Sequence, residues 1–189
     1  HHLVHERGRT DITFAIVGPG DGTDDLRAEI QRRRLHDVIH LPGVLTDAAK
    51  VRTYVATADV CVSVDERNAM NDRSTMMKVL EYMAMGRAVV QFPLEEMARL
   101  CGETTVYARN ADAIDLAEKI AALLDDPPTR ERLGADARRR VLDGMMWSDQ
   151  SPVLDDAVRA ALGAARSGRS RGGAQAVGRA RRWSRNPMP

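Results

Sequence analysis

Asn71-Asp72-Arg73-Ser74-Thr75-Met76-Met77-Lys78-Val79-Leu80-Glu81-Tyr82-Met83-Ala84-Met85-Gly86-Arg87-Ala88-Val89-Val90 contains a polar loop, a helix and the start of a strand. Met76, Val79, Leu80, Met83 and Ala84 recur at helical spacing. They predict an amphipathic helix over Thr75–Met85, ended by Gly86. Ala88–Phe92 then reads as an apolar strand stopped by Pro93. The first amides of a helix have no intrahelical acceptor, so the backbone near Ser74–Met77 offers an anion site by geometry and dipole. Lys78 lies one turn in and adds a positive charge. Glu81 follows three residues later on nearly the same face, where a carboxylate accepts hydroxyl groups. A diphosphate joined to a sugar meets all three features. A plain surface ion pair between Lys78 and Glu81, worth about 0.2–0.5 kcal/mol, accounts for the same two residues.

Outward from this stretch, strand and helix signals alternate. Ile12–Val17 is a short run of β-formers stopped by Gly18-Pro19-Gly20. Asp24–Arg34 is helical in composition, with Thr23 as its cap. Val38–Leu41 is a second strand, and Thr46 caps a helix to Thr57. Val60–Val64 is a third strand, followed by a polar loop over Asp65–Arg73. After the Ala88 strand come a short helix at Glu95–Arg99 and a fifth strand at Thr105–Ala108. Asp112–Leu124 is amphipathic, Pro128 opens a helix to Leu142, and Ser151–Ala164 is a last helix. This order predicts an α/β fold, a Rossmann-like doubly wound parallel sheet. Ligands in such sheets bind at the carboxyl ends of the strands, which selects the Gly18–Gly22 and Asp65–Arg73 loops. The glycine loop falls short of a dinucleotide fingerprint. Its third glycine is Thr23, and no acidic residue follows about 20 residues on. A tight strand-to-helix turn is the simpler account of it.

The 189 residues suit about one domain, and 43% hydrophobic with 29% charged residues is enough for a core. Seven arginines and no acidic residue fall in Arg166–Pro189. With +1 overall, that leaves residues 1–165 at −6. The expected organisation is therefore a globular domain over 1–165 and a disordered, Gly/Arg-rich tail over 166–189. A net-acidic body without an RNA-binding motif argues against a nucleic-acid partner. The tail instead suits contact with anionic lipid at a cytoplasmic membrane face. Cys61 and Cys101 cannot form a disulfide framework, and Cys61 lies in an apolar run, so a reduced, cytoplasmic protein is expected. His36 and His40 are not expected to ligate a metal, because Asp37-Val38 begins a new segment. The opening His1–Gly8 reads as the end of a helix closing on glycine, as if the chain began inside a longer protein.

The long Asn71–Val90 stretch resembles the donor-binding half of family 4 retaining glycosyltransferases of the two-domain B type. It is most similar to members carrying N-D-R-S-T-x-x-K-x-x-E-Y-M-A-x-G-x-x-V-V. The resemblance runs from about Asp11 to Leu142 and includes Phe14–Asp21, Val38–Val44 and Ala58–Val60. It implies a nucleotide-diphosphate sugar as donor substrate, no cofactor or metal, and a glycan or lipid-linked acceptor. Glu81 would bind the ribose, and Lys78 with the backbone of Ser74, Thr75, Met76 and Met77 would hold the diphosphate. Gly18 and Gly20 would approach the donor, and Val44 and Leu45 would lie near the base. Three positions depart from the pattern. Arg73 stands where many relatives have Glu, so the sugar-contacting carboxylate is absent or is supplied by Asp72. Met77 replaces a frequent Asn, and Ala88 a frequent Pro. The family's N-terminal acceptor domain is outside these residues. The expected function is thus that of a glycosyltransferase donor domain. The alternative is a nucleotide-sugar-binding module without turnover.

Overall fold

The computed structural model describes residues 1–18 and 20–172, with side chains up to 163. One compact unit covers His1–Asp143, and a second begins at Gly144. In the first unit, five short strands alternate with helices. They are β1 (Phe14–Val17), β2 (Ile39–Gly43), β3 (Val60–Ser63), β4 (Ala88–Gln91) and β5 (Val106–Tyr107). The helices are α1 (Thr23–Arg32), α2 (Ala48–Thr57), α3 (Met77–Ala84), α4 (Glu95–Cys101), α5 (Ala113–Asp125) and α6 (Pro127–Leu142). All strand pairs are parallel, as the alternation requires. They form two ladders, β1-β2 and β3-β4-β5. β3 and β4 pair from Val60–Ala88 to Ser63–Gln91, which brings the ends of both strands level. The β1-β2 register slips between Ala15 and Val17, next to Pro42, which has no N–H to give.

β4 is buried along its whole length, and this explains why its sequence does not alternate. Ala88, Val90 and Phe92 join Leu3, Ile12, Ala108, Ile120 and Leu133 in one core cluster. Phe14 of β1 and Val60 and Val62 of β3 pack against that same cluster. Val79, Met83, Met97 and Cys101 are fully buried, each apolar side chain contributing roughly 1.5–3 kcal/mol. Gln91 is the polar exception inside β4, and its amide donates to Thr105 Oγ1 at 2.8 Å. Cys61 and Cys101 are both free and buried, and burial pushes the Cys61 thiol up to about 11. The first residues form a π-type turn at His2–Glu6 rather than the end of an α-helix. Leu3 anchors it in the core, and His2 lies between Glu6 and Glu118 at 2.7 and 2.6 Å.

Several helix starts sit one residue from their expected caps. Thr23 is the first residue of α1, not its cap, because its hydroxyl turns back to Gly20 O at 2.6 Å. α2 is capped by Asp47 instead of Thr46, since the carboxylate reaches the Ala49 N–H at 2.8 Å. Asp112 and Asp126 cap α5 and α6, and Pro127 and Pro128 occupy the first turn of α6. In the second unit, α7 (Trp147–Gly172) starts earlier than expected and carries Pro152 in its first turns. Its helix runs on to Gly172, into the stretch expected as a tail. The remainder of the expected tail, 173–189, lies outside the described residues, as does Pro19.

The seating of α3 rests on a backbone contact. Gly134 of α6 lies so close to Gly86, just past α3, that a Cβ on Gly134 would meet Gly86 O at 2.2 Å. Gly86 takes φ +70°, a conformation that glycine adopts without steric cost. Arg138 of α6 donates to Ala84 O and so closes the carboxyl end of α3. Gly134→Ala should therefore destabilise the domain by about 1–3 kcal/mol in urea unfolding. An unchanged midpoint would show that α6 can move away freely.

Candidate functional site

The chain leaves β3 at Ser63 and reaches α3 through a loop that is built on its own asparagines. Asn68 Oδ1 accepts from the N–H groups of Met70 and Asn71 at 3.0 and 2.8 Å. The Asn71 amide donates to Glu66 O at 2.7 Å. Asn71–Arg73 then make one 3₁₀ turn. The Asp72 carboxylate accepts from Arg67 Nε at 3.1 Å and from the Glu95 N–H at 3.3 Å. Arg67 also reaches the Glu95 carboxylate at 3.0 Å. Asp72 thus fastens the loop to the first turn of α4. Its carboxylate is occupied by protein partners, a use that competes with a sugar contact.

Beyond the turn, the Ser74 N–H donates to Asn71 O at 3.0 Å and the Ser74 hydroxyl to Met70 O at 2.7 Å. Ser74 is therefore spent inside the loop. The Met76 N–H faces Met97 Sδ, a weak acceptor, at 3.1 Å. Met76 is the N-cap of α3 and makes no side-chain hydrogen bond to the helix. The N–H groups of Thr75, Met77 and Lys78 have no acceptor among the described residues. The open donors thus begin at Thr75, one residue later than expected, and they carry the positive end of the helix dipole.

Lys78 does not pair with Glu81. Its ammonium meets Asp65 Oδ2 at 2.7 Å. The Glu81 side chain is exposed, and its carboxylate makes no hydrogen bond or ion pair among the described residues. Arg73 is exposed and likewise has no side-chain partner among them. Asp65 is not an ordinary solvated loop charge. Instead, the Ser63 hydroxyl donates to it at 2.5 Å, and Ser63 is buried. Burial pushes the Asp65 carboxyl up, but the Lys78 ammonium and the Ser63 hydroxyl outweigh this and hold it below the usual carboxylate range. Sequence reasoning missed both residues. The available signal was Ser63 itself, a serine in an otherwise apolar strand, at its last and buried position.

The glycine loop forms the other candidate region. Gly18 takes φ +126° and donates to Gly43 O at 3.1 Å. Gly20 O accepts the Thr23 N–H at 3.0 Å, which folds the loop onto the start of α1. A cleft of about 240 Å³ opens here, lined by Ile16, Gly18, Gly20, Leu26, Leu41 and Gly43. It is smaller than the roughly 300–1,000 Å³ usual for a complete ligand pocket. Val44 is exposed and Leu45 half-buried just beyond β2, and neither lines the cleft. The Gly18 loop and the Asp65–Met76 loop both leave the carboxyl ends of parallel strands. Among the described residues no group of three or more His, Cys, Asp or Glu is placed to hold a metal ion. His40 instead faces the Tyr54 hydroxyl at 3.0 Å. No helix among them is long and apolar enough to cross a membrane.

Residues 2–126 match the family described as glycosyl transferases group 1. The chain belongs to that family. It is 26% identical over 133 residues to alpha-D-kanosaminyltransferase of Streptomyces kanamyceticus, which covers 69% of this chain and 33% of that protein. The chain thus spans about one third of the length of that relative. Its structure resembles the C-terminal domain of a group 1 glycosyltransferase from Francisella tularensis, with a TM-score of 0.64 at 15% identity. That match covers 77% of this chain and 76% of the other. It also resembles S. aureus TarM, solved with fondaparinux, alpha-GlcNAc-glycerol and UDP, with a TM-score of 0.70 at 18% identity. There it covers 83% of this chain and 30% of TarM. These likenesses give the fold of a C-terminal domain of a two-domain, B-type glycosyltransferase. The expected α/β class and family stand.

The two uses of Asp72 separate cleanly. If it fastens the loop, Asp72→Ala should lower stability by about 1 kcal/mol in urea unfolding, the partly exposed equivalent of losing charged hydrogen bonds. Unchanged stability together with lost ligand binding would return Asp72 to the ligand.

Proposed function

We propose that this chain is the donor half of a retaining glycosyltransferase, and that it binds a nucleoside-diphosphate sugar for transfer to a glycan or lipid-linked acceptor. The observation that carries this is the open start of α3. Three unpartnered amides, at Thr75, Met77 and Lys78, open the helix that carries the Lys78 side chain, and Glu81 lies one turn further with its carboxylate unpaired. A diphosphate suits the amides and the ammonium, and ribose hydroxyls suit Glu81. As the glycosidic bond to the diphosphate breaks, negative charge grows on the leaving group. Preorganised amides and a helix dipole stabilise that charge without reorganising. The cleft at Gly18 and the exposed Val44 would take other parts of the donor. UDP in the TarM structure is in keeping with a nucleoside diphosphate, and group 1 membership with a transferase.

The chain spans a third of its curated relative, which favours an acceptor site supplied by residues outside it. A module that binds the donor without turnover is the second reading on the same ground. The reading includes a cytoplasmic setting in which the arginines of 166–189 contact anionic lipid, at ~1 kcal/mol for each residue near the surface.

Two results test this proposal. Calorimetry should show Lys78→Glu weakening nucleoside diphosphates at least tenfold while leaving nucleosides nearly unchanged. Equal losses for both would remove Lys78 from the phosphate site. The purified chain, given nucleotide sugars with sugar or lipid-linked acceptors, should bind donor weakly and transfer nothing. Orientation of the acceptor supplies about 7–11 kcal/mol of such a barrier. Sustained transfer would place the whole catalytic apparatus within these residues.

A further inference from the structure

The Asp65–Lys78 pair gives the site a property that amides and an ammonium alone would lack. We infer that Asp65 sets how tightly the site holds a diphosphate, by keeping a fixed negative charge on the Lys78 ammonium that the diphosphate must share. The inference rests on the donor-site reading above.

The two partners are anchored unequally. Asp65 is two residues beyond β3, and its Oδ2 takes both the Ser63 hydroxyl at 2.5 Å and the Lys78 ammonium at 2.7 Å. Ser63 is buried at the last position of a paired strand, so the carboxylate is the fixed pole. Lys78 has a flexible four-carbon stem and three N–H donors, and only one of these is needed for Asp65. A phosphate oxygen can therefore join the ammonium without displacing Asp65. It then lies close to a carboxylate that remains ionised at neutral pH. Like charges so close oppose each other strongly near a protein surface. Among the described residues, Lys78 is the only cation paired with Asp65. Arg67, the nearest loop cation in sequence, is already committed to Asp72 and Glu95, and Glu81 adds a further negative charge on the helix that carries Lys78.

The consequence is selective. Asp65 opposes binding in proportion to ligand charge, hardly at all for a nucleoside and most for a diphosphate. For a transferase whose leaving group is a nucleoside diphosphate, that favours release of the product after the sugar has moved. Asp65 acts here through Lys78 and is a positioning residue.

Asp65→Asn keeps the shape and the acceptor for Ser63 and removes only the charge; Asp65→Ser is a second neutral variant. Calorimetry and stopped-flow binding would use UDP, GDP, ADP and dTDP, their monophosphates and their nucleosides, on wild type, both variants and Lys78→Met. Expected are about tenfold tighter binding of the preferred diphosphate by both Asp65 variants, a slower off-rate, a smaller gain for the monophosphate and none for the nucleoside. If both Asp65 variants bind the diphosphate no better than wild type while Lys78→Met loses affinity, the inference is wrong and the donor-site reading stands. If no diphosphate binds wild type or either variant, the donor-site reading fails and the inference with it.

Discussion

The open end of α3 is of use only if the helix is held still while its first amides stay unpaired. The approach of Gly134 to Gly86 makes that possible. With no side chain between them, α6 packs against the exit of α3, and Arg138 occupies its last carbonyl. Val79 and Met83 are buried completely beneath the helix, against the strands. The carboxyl end of α3 is thereby satisfied by protein, and the amino end is not. A helix eight residues long has little stability of its own, so its position comes from this packing.

A second constraint acts at the other side of the loop. β3 pairs level with a fully buried β4, so Ser63 is fixed at the sheet's carboxyl edge. From there Ser63 holds Asp65, and Asp65 holds Lys78. The loop between is braced by Asn68, Asn71 and the Arg67–Asp72–Glu95 cluster. The acidic residues near the site thus divide by use. Asp72 builds the loop, Asp65 restrains the lysine, and the Glu81 carboxylate remains unpaired.

Much of the fold was legible because apolar runs and glycine or proline stops mark parallel strands directly. All five strands and the order of helices follow from that pattern. The caps were read less well. A serine, threonine or aspartate near a helix start chooses its partner by a shift of one residue, as Thr23 and Asp47 show. The sequence also placed Lys78 beside the helix start, because one turn of helix fixes that geometry locally. It could not show that Lys78 pairs with Asp65, thirteen residues away across a loop. Nor could it separate Asp72 from Asp65, since their roles depend on α4 and on the buried end of β3. The family pattern pointed to the Asn71–Val90 segment, while the individual carboxylates needed tertiary contacts to sort them.

The central claim is that the start of α3 receives the diphosphate of a nucleotide donor. Amide NMR of the chain, titrated with nucleoside diphosphates and matching nucleosides, tests it most directly. The account predicts that the diphosphate, beyond any effect of the nucleoside, shifts the amides of Thr75, Met77 and Lys78 most. Phosphate-dependent shifts centred elsewhere, with those three amides unmoved, would contradict it.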